Sequence, residues 1–210
     1  MTNNTGLRNT ASGEAISALY QARLAEHQKY KKVYQMPAAK YSMSDRRRED
    51  AVRDLTALPC RGRLLDVSCG RGEMLNAAED IGFDIAIGTE IVPELIKNDT
   101  RVYFSEAHNL QFPSKSYDVV TLWDVIEHLI PGDDELACKE LLRVARKYIL
   151  LTANNRPSKS LGVELHINRR PYREWDDLFN KWFSGCKVEW LQAERQHVSE
   201  CWKITIPYDN

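Results

Sequence analysis

The sequence predicts an α/β fold: a doubly wound, mostly parallel seven-stranded sheet with helices on both faces, an antiparallel edge hairpin and extra N-terminal helices. Three observations predict it. Short apolar segments alternate with helical ones from residue 64 to about 182, as in a parallel sheet joined by helical crossovers. The segment Tyr117-Asp118-Val119-Val120-Thr121-Leu122 is nearly continuous in apolar character, as a strand covered on both faces should be. The stretch LLDVSCGRGEML, residues 64–75, reads as strand, tight turn and helix, with glycines where the backbone must turn sharply and approach a ligand.

Composition bounds the rest. The 210 residues suffice for one domain with a full core, divided on this reading into an N-terminal helical region at 1–58 and an α/β domain at 59–210. A net charge of −1 provides no whole-protein field for nucleic acid or anionic lipid. No apolar run approaches the roughly 20 residues of a membrane span. The polar start MTNNTGLRNT lacks an apolar signal core, and the five scattered cysteines form no CxxC. The expectation is a cytoplasmic protein with reduced thiols, no disulfide framework and no zinc site.

In order, residues 1–13 are expected to be mobile. A helix follows from Glu14 to Tyr34, with Ile16, Leu19, Tyr20, Leu24, Tyr30 and Val33 near helical spacing. Met36-Pro37 breaks it. A second helix covers Ser44–Leu58, capped by Ser44 or Asp45. Its Arg46-Arg47-Arg48 run sits where positive charge opposes the helix dipole, which suggests a task for it. Strand 64–67 and helix 72–80 come next, then strand 85–88, a helix from Pro93 to Ile96, and strand 102–104. Strand 117–122 leads to helical segments at 125–130 and 135–145, and strand 148–152 to a long polar loop, 153–170. A helix at 171–182 and strands 186–192 and 198–206 complete the chain.

The ligand of the glycine turn is read from its neighbours. Asp66 is a charge at the mouth of an apolar strand, which costs free energy without a partner. The start of the following helix offers free N–H groups to an anion. A dinucleotide turn needs a third small residue, and Leu75 stands in that place. No GKS or GKT occurs, so a Walker A loop is excluded. A ligand with ammonium and carboxylate ends fits, as in the methionine part of S-adenosylmethionine.

At these residues the chain resembles the class I S-adenosylmethionine-dependent methyltransferases. LLDVSCGRGEML is similar to their first motif, with Ser68 in place of a glycine. Glu90, 18 residues past Gly72, matches the acid that holds both ribose hydroxyls, and Ile91 follows it. Glu106-Ala107-His108-Asn109-Leu110 is similar to the segment that reads adenine. The resemblance implies a Rossmann-like fold, S-adenosylmethionine as cofactor with S-adenosylhomocysteine as product, and a cofactor site at Asp66, Ser68, Gly70, Gly72, Glu90, Ile91, Glu106, Ala107 and Trp123. It also implies an N-terminal lid over the substrate, in which Tyr20, Tyr30 or Tyr34 faces the pocket.

Methyl transfer needs nucleophile and methyl held in line, with a base for a hydroxyl or protonated amine. Asp124, Glu127 and His128 follow the fourth strand, and His128 is the best candidate base. Tyr20, His166 and Arg170 are expected at the acceptor, since Arg156, Lys159, Arg169 and Arg170 make the 153–170 loop basic. The expected reaction is methylation of an O or N atom of a small-molecule acceptor, anionic or sugar-like, without a metal; nucleic acid is not favoured and no membrane partner is expected. Two alternatives stand. Asp124, Glu127, His128 and His166 resemble the metal-binding set of the small-RNA 3′-terminal 2′-O-methyltransferases. The other alternative is a methyltransferase-like protein that binds without catalysing.

Overall fold

A computed structural model describes residues 6–191 and 194–207; the side chains of 6–12 and of Ala39 are not described. Helix α1 spans Gly6–Tyr34, and α2, Asp45–Thr56, starts at Ser44, whose Oγ accepts the Arg47 N–H at 3.4 Å. Then follow β1 (Arg63–Asp66), α3 (Glu73–Asp80), β2 (Ile85–Glu90), α4 (Pro93–Ile96), β3 (Val102–Phe104) and β4 (Tyr117–Leu122). Next come α5 (Asp133–Val144), β5 (Ala145–Ala153), β6 (Lys159–Ser160), β7 (Val163–Glu164), α6 (Tyr172–Trp182), β8 (Lys187–Trp190) and β9 (Glu200–Thr205).

Seven strands form one sheet in the order β3-β2-β1-β4-β5-β9-β8. All neighbours are parallel except around β9, which runs antiparallel between β5 and β8. The chain leaves β1 on one side for β2 and β3, then returns to lay β4 on the other. That reversal opens a crevice beyond the carboxyl ends of β1 and β4, where sheets of this type bind ligands. Asp66, Gly88 and Thr121 lie in register there.

Apolar side chains cover both faces. On one, α2 and α3 pack on the sheet through Ala51, Leu55, Leu64 and Leu75. On the other, α5 and α6 bury Leu141, Trp175, Phe179 and Trp202. Trp175 stacks on Phe179 at 5.4 Å, and Trp202 meets Phe179 edge-on at 5.1 Å. No helix of the described residues is long and apolar enough to cross a membrane. The five cysteines are unpaired.

Several expectations change. Residues 6–13, expected to be mobile, are the first turns of α1, while 1–5 lie outside the described residues. The α1 residues at helical spacing are mostly in solvent: Ile16 is 70% exposed, Tyr20 60%, and Leu19 and Leu24 are also exposed. Only Val33 of that set is buried. The helical segment after β4 is a short 3-10 turn, Ile126–His128. The 153–170 loop contains the β6–β7 hairpin, whose turn residues Leu161 and Gly162 both have positive φ, the conformation of a two-residue hairpin turn. The expected strand 186–192 is β8, which ends at Trp190; residue 192 lies outside the described residues.

Trp202→Ala should cost about 3–5 kcal/mol, the range for deleting a buried large aromatic. Equilibrium urea unfolding followed by far-UV circular dichroism measures it.

Candidate active site

The glycine turn is built by backbone geometry. Ser68, Gly70 and Gly72 all have positive φ, at 58°, 57° and 79°. Gly70 can take no side chain: a Cβ there would lie 2.8 Å from Tyr34 Oη. Gly88 in β2 is equally constrained, since a Cβ would run into Cys69 Sγ. The turn therefore sits directly on β2, and Cys69 N–H donates to Thr89 O at 2.8 Å.

Two buried carboxylates border this turn. Glu90 accepts N–H groups from Ile91 (2.7 Å), Gly70 (3.1 Å) and Val92 (3.2 Å). Burial pushes its carboxyl up to about 7, against these hydrogen bonds. Asp66 accepts the Thr121 hydroxyl at 2.7 Å, and burial likewise raises it to about 7. Both acids lie at the mouth of one cleft, with Ser68, Gly70, Ile91, Glu106, Ala107 and Trp123 along its walls.

Past β4 the chain takes a strained path. Asp124 has φ 51° and is buried. Its carboxylate receives Arg47 Nε at 2.7 Å and the Thr152 hydroxyl at 2.9 Å. Although burial opposes ionisation, Arg47 and hydrogen bonds from Ser199 and Thr152 hold Asp124 below the ordinary carboxylate range. His128 lines the cleft, and its Nδ1 lies 2.6 Å from Tyr30 Oη. Burial and the neighbouring His166 lower its imidazole to about 3, so it is neutral near pH 7. Behind it, His166 packs edge-on at 4.5 Å between ring centres, with its own Nδ1 2.6 Å from Arg156 O. Glu127 is wholly buried, and neither of its oxygens has a hydrogen-bond partner among the described residues. Burial, then the nearby Asp124 charge, raises its carboxyl well above the usual range. Glu127, His128 and His166 can each offer a ligand atom, all within 4.8 Å of one another.

α1 roofs the cleft through a polar face on which Tyr30 and Tyr34 were expected and Arg23 and His27 were not. Arg23 Nε donates to Asp133 at 2.9 Å, His27 Nε2 lies 2.9 Å from Glu106, Tyr30 meets His128, and Tyr34 lies over Gly70. These positions are spaced four, three and four residues apart, so they share one side of a helix. The apolar residues Ile16, Leu19 and Leu24 are exposed instead. The segment after α1 is tied down by Arg71, whose guanidinium donates to the carbonyls of Tyr34, Met36 and Tyr41.

Of the residues expected at the site, Gly72 sits one step outside the cleft as the N-cap of α3. Glu127 and His166 lie behind His128 rather than on the cleft wall. Asp124 is spent on Arg47 and Thr152 and stands apart from the Glu127–His128–His166 group. Two expectations about the acceptor are corrected. Tyr20 is on the outer side of α1 and does not reach the cleft. Arg170 is held by Asp134 at 3.0 Å and Glu174 at 2.8 Å and lies over Trp175, away from it.

A cleft at the reversal point of this sheet, walled by a glycine turn and two strand-end acids, defines a methyltransferase fold. The chain belongs to the methyltransferase-domain family, whose model matches residues 38–196, and it is an S-adenosylmethionine-dependent methyltransferase. Its fold is similar to that of the PH0226 protein from Pyrococcus horikoshii OT3 (TM-score 0.67, 17% identity, 84% of this chain and 99% of that one). It is also similar to the methyltransferase domain of bacterial CtHen1-C (TM-score 0.62, 16% identity, 78% and 98%). A third is magnesium protoporphyrin IX methyltransferase from Synechocystis PCC 6803, solved with bound S-adenosylhomocysteine (TM-score 0.58, 14% identity, 76% and 82%). No curated protein matches the chain.

The raised carboxyls set a pH dependence. A carboxyl whose folded value exceeds its unfolded one contributes stability below its unfolded value of about 4 and loses it as pH rises through about 7. Asp66→Asn removes this loss. The stability of the variant relative to the wild type should therefore rise by up to about 4 kcal/mol between pH 4 and pH 7.5 in the ligand-free protein, measured by urea unfolding across that range.

Proposed function

We propose that the protein transfers the methyl group of S-adenosylmethionine to an oxygen or nitrogen of a small-molecule acceptor. In this reading Asp66 and the Ser68–Gly72 turn take the methionine end, Glu90 the ribose hydroxyls, with Ile91 beside it, and Glu106 and Ala107 the adenine, while Trp123 walls the cofactor. The observation that carries the small-molecule reading is the roof. α1 and the segment held by Arg71 cover the cleft at four places along one helix face, which suits an enclosed acceptor better than a duplex. On this reading α1 and the segment up to Met43 form the working part of the lid; α2 shares its core with α3 and the sheet.

The chemistry is an in-line displacement. The acceptor lone pair forms the new bond to the methyl carbon, the carbon–sulfur bond breaks, and its electrons stay on sulfur as the neutral thioether. A hydroxyl acceptor must shed its proton. Tyr30, kept neutral by burial and 2.6 Å from His128 Nδ1, can relay the acceptor's proton to that imidazole; burial opposes the imidazolium so formed, so His128 is a weak base that holds the proton only in passing to water. Asp124, fixed by Arg47 and Thr152, shapes the strained turn that places His128.

A second reading is favoured by Glu127. A buried carboxylate with no hydrogen-bond partner is costly, and a divalent cation shared with His128 and His166 would relieve it; imidazole and carboxylate suit such an ion. When bound, the cation would polarise an acceptor oxygen and lower its pKa. Asp124 is not among the ligands in this version. This reading keeps a nucleic-acid 3′ end among the acceptors.

Two measurements test these readings. Glu90→Ala should weaken S-adenosylhomocysteine binding well beyond tenfold in calorimetry; near-wild-type affinity would remove Glu90 from the cofactor site. Mn²⁺ should bind the purified chain at one site, with His166→Ala lowering its affinity at least tenfold by electron paramagnetic resonance titration. Equal binding by the variant would sink the metal reading and leave the Tyr30–His128 relay standing.

A further inference from the structure

The Arg46-Arg47-Arg48 run has one member whose place the methyl-transfer reading does not explain. Arg46 and Arg48 are exposed, and Arg48 pairs with Asp45 at 3.0 Å in the same helix turn. Arg47 crosses instead to the methyl end of the cleft. Positive charge in the first turn of α2 works against the helix dipole, which a carboxylate contact offsets.

Asp124 supplies only part of that compensation. Arg47 engages it through Nε at 2.7 Å, and the same Nε lies 3.3 Å from His197 Nε2. The two terminal nitrogens, Nη1 and Nη2, have no acceptor among the described residues. Asp124, for its part, is also served by Thr152 and Ser199. The other two cleft arginines are more fully engaged, each with only Nη1 uncommitted. Arg23 places both Nε and Nη2 on Asp133, and Arg71 is consumed by three backbone carbonyls.

Arg47 does not stand alone. It lines both the main cleft and a smaller hollow beside it, and Met43, Trp123 and Asp124 border both spaces with it. Trp123 is 8% exposed, and its indole Nε1 is buried with no acceptor. Arg195 lines the smaller hollow, and its buried Nε also lacks one. His197 faces the same hollow, and burial and then Arg47 hold its imidazole below its ordinary value, so it adds no opposing or matching charge near pH 7. Two buried N–H donors without acceptors, Trp123 Nε1 and Arg195 Nε, thus lie in the walls that Arg47 shares, while its own terminal nitrogens are open to the cleft. An oxyanion would satisfy the guanidinium fork, to which carboxylate and phosphate are matched in shape.

We propose that Arg47 reads an oxyanion, carboxylate or phosphate, on the methyl acceptor, with Trp123 Nε1 as a neighbouring donor. This rests on the methyl-transfer reading and sharpens its acceptor class. It also moves anion recognition from the 153–170 loop, where Arg170 is committed elsewhere, to the first turn of α2.

The test uses the full chain labelled with ¹⁵N at tryptophan and saturated with S-adenosylhomocysteine. The Trp123 indole resonance is identified by its loss in Trp123→Phe. Inorganic phosphate and acetate are titrated separately. A saturable shift of that resonance in the millimolar range is expected for at least one of them. The binding should weaken at least tenfold in Arg47→Gln, fall in between in Arg47→Lys, and stay unchanged in Arg48→Gln. Response to phosphate alone identifies a phosphorylated acceptor, and response to acetate alone a carboxylic acid. No saturable shift with either anion, or equal affinity in folded Arg47→Gln that still binds S-adenosylhomocysteine, overturns the proposal. Failure of the wild type to bind S-adenosylhomocysteine would instead overturn the cofactor reading beneath it.

Discussion

The site depends on one clamp: the Glu90 carboxylate, buried at the end of β2, accepting three backbone N–H groups. One comes from Gly70 in the turn after β1 and two from the residues that begin the next connection. The clamp locks two neighbouring strand ends to a single anion. It is costly, because burial raises the carboxyl to about 7. That cost is borne where the sheet order reverses and the crevice has to stay open. Gly70 and Gly88 follow from it, since a side chain at either would part the turn from β2 or close the space above.

The roof obeys a different rule. α1 leaves most of its apolar residues in solvent and docks through Arg23, His27, Tyr30 and Tyr34. Polar contacts of this kind add little net stability each, because each replaces contacts with water. They are directional, however. A helix held this way is fixed in orientation over the cleft while its outer, partly apolar side stays in solvent.

The fold was legible because it is written in short-range signals. The apolar strand 117–122, the glycines of 70–72 and the acid at 90 are local, and their order along the chain implies the sheet. The family match over residues 38–196 and the seven-stranded order agree with that reading. The acceptor end was less legible, for two physical reasons. A helix lying on a polar cleft can bury its polar side, so the apolar spacing of α1 does not mark the face that docks. Arg170 and His166 share a loop, but side chains in one loop need not share a cavity: Asp134 draws Arg170 to α5, while His166 packs on His128. Arg47, flagged only as a charge in an awkward place, reaches the cleft because α2 packs across the sheet. That contact is set by tertiary structure and has no local signature.

The position of β9 bears on how the enzyme is made. It lies between β5 and β8, so β8 is synthesised earlier yet has no neighbour to join until β9 has emerged. Pairing of β5 with β9 also spans a long stretch of chain, the kind of contact that forms late. His197 and Ser199, which flank Arg47 and Asp124, sit on the approach to β9. A nascent chain on the ribosome can therefore form the glycine turn and the Glu90 clamp early, while the acceptor end stays unfinished until residues 200–205 have left the exit tunnel. Arg47, made before the glycine turn, thus waits for His197 and Ser199, among the last residues of its surroundings to be synthesised.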